Sequence, residues 1–433
     1  MIEIIGKHTT AKIMIDNVEE TAISQITQFV NNQNFTNPIA IMCDVHAGKG
    51  AVIGFTMQMT KHIIPNIIGM DGSCGMLLVV VKDLFKNISI EDLEKHVRKV
   101  VPFGMNVHQK TQSFKWDWKA VDSIARQFAY KYTELFNNPI LSLVPNYSDE
   151  WLKNKCKQIG ADHGRVMKAI GSLGSGNHFV EVGKIIEKVD VEHTITIHSG
   201  SRNFGKMICE YWQKKAEETP NDTQQKIKEL IDSAKTDEEK RALSTKIQVI
   251  KNQTSCHKDL MCLNERDSID YLFDMIFVNF YARKNREVMM NLIMEKVQLP
   301  VEETIETIHN FIDFEDLIIR KGAVPSYIGK KFILPFNMRD GLLICEGKSN
   351  PDWNNSAPHG SGRVLSRSKA KQTLSLENFE KQMEGIYSTS VVASVLDESP
   401  DAYKDSKVIE DAIAPTANIL YRSKPVINLK SRE

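Results

Sequence analysis

Short apolar runs and longer amphipathic stretches divide this chain, and their lengths set the elements expected of it. Four apolar runs have strand length: 38–43 (PIAIMC), 76–82 (MLLVVVK), 178–183 (HFVEVG) and 193–198 (HTITIH), the last partly alternating. Amphipathic helices are expected at 90–101, with Ser89 as N-cap and Glu91 and Asp92 in the first turn, and at 116–136. From about 206 to 300 the texture becomes charged and helix-forming, as in TPNDTQQKIKELIDSAKTDEEKRALSTKIQVI, and reads as a helical insertion with a solvated face. Strands and loops return from 318, with one helix near 375–386. No repeat, low-complexity tract or Gly/Ser/Pro linker divides the chain, so the expectation is a single large α+β domain over 1–433.

Composition narrows the function. With 42% hydrophobic and 25% charged residues, the chain has enough apolar content to fold throughout. Its 55 Lys and Arg balance 55 Asp and Glu, which excludes a protein that coats nucleic acid through bulk charge. One local excess remains: between Arg320 and Lys371 ten basic residues face three acids, a net of +7, a candidate surface for RNA or a triphosphate. The opening MIEIIGKHTTAKIMIDNVEE has no uncharged run resembling a signal peptide, and MLLVVV is far shorter than the ~20 residues a bilayer needs. Seven cysteines without a CxxC pair argue for a reducing compartment. The expectation is a soluble cytoplasmic protein with no membrane partner.

The polar chemistry collects in glycine-dense islands. These are Asp44–Gly50 (DVHAGKG, with His46), Gly69–Met76 (GMDGSCGM), Gly174–Glu181 (GSGNHFVE, with His178), His198–Arg202 (HSGSR) and Pro358–Arg363 (PHGSGR, with His359). Glycine permits the close backbone approach and positive φ that a loop around a phosphate or metal needs. Asp71 and Cys74 form the sharpest pair, a carboxylate and a thiol on one short turn. With His178, His198 and His309 they make a mixed O/N/S donor set suited to Mn, Fe, Co or Zn, and the residue types alone do not choose among these. Cys256, His257 and Cys262 lack a fourth ligand and read as structural. No Walker A motif, no GxGxxG after a strand and no KxDG lysine-nucleophile signature is present. A nucleotide-linked nucleophile, if there is one, is therefore not expected to be lysine.

In order and approximate spacing, DVHAGKG, GMDGSCGM, LGSGNHFVEV, HSGSR, HN…RKGA, PHGSGRVLSR, AYKD and PVINLK resemble the RtcB-type RNA-splicing ligases, from about residue 40 to 430. The resemblance implies stacked mixed β-sheets flanked by helices around a metal-lined cleft. It also implies a ligase dependent on GTP and two Mn²⁺ ions, joining RNA 2′,3′-cyclic phosphate or 3′-phosphate ends to 5′-hydroxyl ends. Carried over by motif, Asp71, Cys74 and His178 would hold one ion, with Cys74 bridging to a second held by His198 and His309. His359 matches the family's guanylylated histidine. Asn177, His178, Phe179, Val180, Glu181, His309, Asn310, Pro335, Asn337, His359, Gly360, Ser361, Gly362, Tyr403 and Lys430 fall at or beside its nucleotide-contacting positions, with Lys430 near the guanine edge. Arg202, Lys321 and Arg363 would bind phosphates of the RNA.

The chain also departs from the family pattern. Ile308 stands where members carry a second histidine before His309-Asn310, Pro335-Phe336-Asn337-Met338-Arg339 replaces a PGSMG-like loop, and Leu342 replaces an expected serine. The PFNMRDG form is similar to a bacterial branch found beside release-factor-like proteins, which implies RNA repair over routine tRNA splicing and a release-factor-like partner. Two other readings stand beside ligation. A metal-dependent phosphodiesterase would open cyclic phosphates without needing His359; a noncatalytic RNA-end-binding factor would have no use for five metal-type ligands.

Overall fold

The computed structural model describes residues 1–218, 231–233, 243 and 258–433. In chain order its strands are β1 (Ile2–Ile5), β2 (Thr10–Ile13), β3 (Ile39–His46), β4 (Ile53–Gln58), β5 (Gly75–Lys82), β6 (Phe179–Ile185), β7 (Glu192–Ser199), β8 (Glu303–Ile308), β9 (Asn310–Ile312), β10 (Ile318–Lys321), β11 (Ala323–Pro325), β12 (Lys331–Pro335), β13 (Leu342–Gly347), β14 (Ser356–Pro358) and β15 (Ala417–Leu429). They form a six-stranded sheet, β1-β2-β3-β4-β10-β9, a seven-stranded sheet, β12-β13-β15-β6-β7-β5-β8, and the pair β11-β14. The six-stranded sheet is mixed, because β2 and β3 run parallel. The seven-stranded sheet is antiparallel in every pairing, so only one of the two large sheets is mixed.

β5 shows why the run MLLVVV does not alternate with polar residues. Met76, Leu78 and Val80 enter one apolar cluster with Phe179, Ile333 and Ile344, inside the curl of the seven-stranded sheet. Leu77, Val79 and Val81 enter another with Leu93 and Val97 of helix Ile90–Val100 and with Met289, Met290 and Ile293. Both faces are covered, so successive residues are both apolar. The sheet curls far enough for Lys331 of β12 to pair with Glu303 of β8 across its two edges, at 2.6 Å. The two large sheets stack where Ala40 and Met42 of β3 meet Phe332 and Leu334 of β12 and Leu343 of β13.

The expected helices appear with their caps. Ser89 accepts from the Asp92 amide at the start of Ile90–Val100, and Asp117 from the Ala120 amide at the start of Trp118–Phe136. Ser375 does the same for Leu376–Gln382. The charged region behaves differently from its sequence texture. Helix Arg202–Glu218 buries Phe204, Ile208 and Trp212, and the 33-residue helix Glu265–Val297 is buried on every side from Tyr271 to Val278 and then shows solvent a stripe of Arg283, Glu287 and Asn291 while Asn285 and Met289 stay buried. It is the central helix of the molecule rather than a solvated flank, and it contacts both large apolar clusters. Most of 219–257, where the charged texture is densest, lies outside the described residues, as do Cys256 and His257. No helix among the described residues is long and apolar enough to cross a membrane.

Candidate active site

Strand register lines up the first group of polar side chains. In the row β6-β7-β5-β8, Phe179 pairs with His198, Met76 with His198, and Gly75 with Ile308. His178, His198, Cys74 and His309 therefore all sit at one end of four adjacent strands spaced about 4.8 Å apart. Cys74 Sγ lies 3.3 Å from His178 Nε2 and 3.1 Å from His198 Nε2. His198 Nε2 is 3.2 Å from His309 Nε2, and Asp71 Oδ2 is 3.1 Å from His178 Nε2. Behind this row, the His178 and His198 Nδ1 atoms face the carbonyls of Leu173 and Asn177 at 2.9 and 3.2 Å. Those carbonyls can only accept, so each Nδ1 carries the proton and each Nε2 presents a lone pair.

The electrostatics of the group follow from burial. Desolvation pushes the Cys74 thiol well above its ordinary value, with Asp71 adding to the rise, and holds His198 and His309 well below theirs. Asp71, by contrast, keeps a partly exposed side chain, with its Oδ2 facing His178 Nε2.

His359 stands next to this row, its ring centroid 4.6 Å from that of His309. Its Nδ1 lies 2.6 Å from Asp44 Oδ2 and 3.0 Å from the Gly322 carbonyl, so Nδ1–H donates and Nε2 is left bare. Asp44 is fully buried in β3, and Gly362 lets the His359 loop close over it. Gly362 has φ of +71°, and a Cβ there would come within 2.2 Å of the Asp44 carbonyl oxygen. Asn310 ties the two groups together, accepting from the Gly322 amide at 2.8 Å and donating to the Asp71 carbonyl.

Beside these histidines opens a cavity of about 260 Å³, lined by residues from β6, β12, β15 and the His359 loop. Its far end holds a buried charge cluster. The Glu398 carboxylate accepts from Lys430 Nζ at 2.8 Å, Arg367 at 2.6 Å and Tyr403 Oη at 2.7 Å. Burial works against this carboxylate, but Lys430, Arg367 and Arg363 outweigh it and hold it well below the usual range. Burial lowers Lys430, and burial with Glu398 raises the Tyr403 hydroxyl. Glu181 has no such company and is pushed up to about 8 by burial.

The family profile described as tRNA-splicing ligase RtcB matches residues 25–431. The chain belongs to the RtcB family. It is 27% identical to the RNA-splicing ligase RtcB of Escherichia coli K12 over 95% of each chain. It is 24% identical to the tRNA-splicing ligase RtcB of Archaeoglobus fulgidus over 94% of this chain and 91% of that one. A 22% match to RNA-splicing ligase RtcB2 of E. coli ATCC 25922 covers 96% and 93%.

The RtcB motifs converge as follows. Asn177, Phe179, Glu181, His198, His309, Asn310, Pro335, Asn337, His359, Gly360, Ser361, Gly362, Arg363, Tyr403 and Lys430 all line the cavity. Val180 does not, because its side chain points to the other face of β6 and packs in the helix-covered core. Arg202 and Lys321 are also outside it. The Arg202 guanidinium donates to Ser172 Oγ and the Gly104 carbonyl, and Lys321 Nζ to the Lys49 carbonyl. His46 lines the cavity while its Nδ1 faces the Asp44 carbonyl of its own turn. The donor set fits a metal ion: Cys74, His178 and His198 bring one sulfur and two imidazole nitrogens within 4.8 Å of one another.

The basic excess counted between 320 and 371 largely vanishes in three dimensions. Arg320 is buried between Asp313 and Asp316, Lys331 pairs with Glu303, Arg339 with Asp340, and Arg363, Arg367 and Lys371 with Glu398 or Asp397. Most of the neutralising acids lie outside the counted segment. Sequence reasoning also missed Asp44, Glu398 and Asn428. For Asp44 a signal existed: a carboxylate inside the apolar strand IAIMCDVH is costly to bury without a partner.

Proposed function

We propose that this protein seals RNA ends, joining a 2′,3′-cyclic phosphate or 3′-phosphate terminus to a 5′-hydroxyl at the expense of GTP. The observation that carries the reading is His359, with a bare Nε2 facing the cavity and Nδ1–H held by a buried Asp44. In the first step Nε2 attacks the α-phosphorus of GTP, a P–N bond forms, and the bond to pyrophosphate breaks. The ring becomes cationic at this moment, and the Asp44 carboxylate stabilises that charge through Nδ1–H. The GMP group then passes to the RNA 3′-phosphate, breaking the P–N bond, and the 5′-hydroxyl oxygen displaces GMP to form the phosphodiester. A cyclic phosphate is first opened by water.

Asp71, Cys74, His178, His198 and His309 would hold two Mn²⁺ ions. Such ions supply charge neutralisation at phosphate oxygens. Glu181 and Lys430 offer an acceptor and a donor to the guanine edge, Tyr403 and Phe179 offer aromatic faces, and Arg363, a further residue of the cavity wall, is proposed to meet phosphate. Arg202 and Lys321 act through the loops they hold. The substrate is proposed to be broken cytoplasmic RNA under repair, with a release-factor-like protein as partner.

Incubation with Mn²⁺ and α-³²P-GTP should label the protein covalently, and His359→Ala should abolish the label. The same preparation should join a 3′-phosphate RNA to a 5′-hydroxyl RNA. A persistent label in the variant, or hydrolysis of the cyclic phosphate without joining, overturns the reading.

A further inference from the structure

Asn428 of β15 lies directly opposite Glu181 of β6 in the strand register, so the two side chains share the face that lines the cavity. Asn428 Nδ2 donates to Glu181 Oε2 at 2.8 Å. When ionised, Glu181 only accepts, and in that form this bond fixes the amide, with its nitrogen toward Glu181 and its carbonyl oxygen turned away. Two acceptors are then left over: Glu181 Oε1 and Asn428 Oδ1 are both buried and without a partner among the described residues. Unpaired buried acceptors are destabilising, and a pair of them at a cavity wall calls for a ligand presenting two neighbouring donors.

We infer that Asn428 is a specificity-determining residue that reads the exocyclic 2-amino group of guanine, while Glu181 Oε1 takes the N1–H beside it. The inference rests on the guanine-nucleotide reading given above. Guanine presents N1–H and the 2-amino group side by side as donors, followed by O6 as acceptor. Lys430, two residues beyond Asn428, supplies a cationic donor at the same end of the cavity. Adenine carries an acceptor at N1 and no 2-amino group, so it leaves both unpaired oxygens unsatisfied. Hypoxanthine keeps N1–H and O6 and lacks only the 2-amino group, which makes it the probe that isolates Asn428.

The test compares binding of GTP, ITP and ATP to the Mn²⁺-loaded full chain by competition against a fluorescent GTP analogue. Wild type should bind ITP roughly tenfold more weakly than GTP, the value of one net hydrogen bond. Asn428→Val, folded as judged by an unchanged melting temperature, should bring the GTP and ITP affinities within about twofold while ATP stays weakest. An undiminished gap in Asn428→Val overturns the inference. So does a wild type that binds GTP and ITP equally, a result that needs no variant. Failure of wild type to bind GTP at all instead overturns the nucleotide reading on which the inference stands.

Discussion

At His359 the two ring nitrogens have different surroundings, and that difference decides how the side chain can react. Asp44 Oδ2 and the Gly322 carbonyl both face Nδ1, so the proton stays there and Nε2 keeps its lone pair. Asp44 also accepts from the His359 amide, fixing ring and backbone together. Replacing Asp44 by alanine leaves the Gly322 carbonyl alone to hold the Nδ1 proton and removes the charge that faces the developing imidazolium. Asp44→Ala should slow formation of the labelled protein by roughly 10²–10⁴-fold, in the range found when a histidine loses its orienting carboxylate. Metal content should be unchanged, because Asp44 has no contact with Cys74 or the three histidines beside it. Label kinetics and metal analysis on one sample check both halves, and loss of metal in the variant would assign Asp44 a wider structural role.

At the scale of elements, the central helix Glu265–Val297 does more than fill the core. Asn285 accepts from the Gly171 and Ser172 amides and donates to Ser199 Oγ and the Gly200 carbonyl. Arg286, fully buried, donates to the carbonyls of Ser73 and Ser199, at 3.1 and 2.9 Å, and to Glu306. Ser73 precedes Cys74 and Ser199 follows His198, so one guanidinium pins the backbone beside two donors of the cluster. Arg286→Met should therefore weaken Co²⁺ affinity at least tenfold and alter the thiolate-to-cobalt absorption band, whereas Arg286→Lys should restore part of the affinity through a single donor. An unaltered cobalt spectrum in Arg286→Met would remove this role. The chain's own pattern announced Cys74, His178, His198 and the strands that carry them, since each apolar run ends at a glycine island. It did not announce Asn285-Arg286, because in a helix rich in Lys, Arg and Glu a buried arginine looks like a solvated one until its carbonyl partners, over 80 residues away at Ser199 and farther at Ser73, come into place.

Across the whole molecule the same lesson governs charge. The sequence shows balanced charge and a basic stretch, but pairing depends on residues far apart, such as Lys430 with Glu398 or Arg363 with Glu398, and no local count detects it. Among the described residues Glu181 is an exception to the pairing, a buried carboxyl with an amide partner and no cation in contact, and its energetics should be felt in global stability. Burial raises its pKa from 4.5 to about 8. Below pH 4.5 the carboxyl is protonated in both folded and unfolded chains, and it contributes no pH dependence. Between 4.5 and about 8 the unfolded chain releases the proton while the folded one retains it, so the folded state binds more protons and stability falls as pH rises. Above about 8 both states are ionised and the loss is complete, on the order of 3–5 kcal/mol for a shift of this size. Glu181→Gln cannot ionise, so nucleotide-free urea denaturation should show the variant gaining on wild type steadily from pH 5 to pH 8. Parallel stability curves for the two proteins across that range would mean that Glu181 is already charged in the fold, with Lys430 close enough to hold it so.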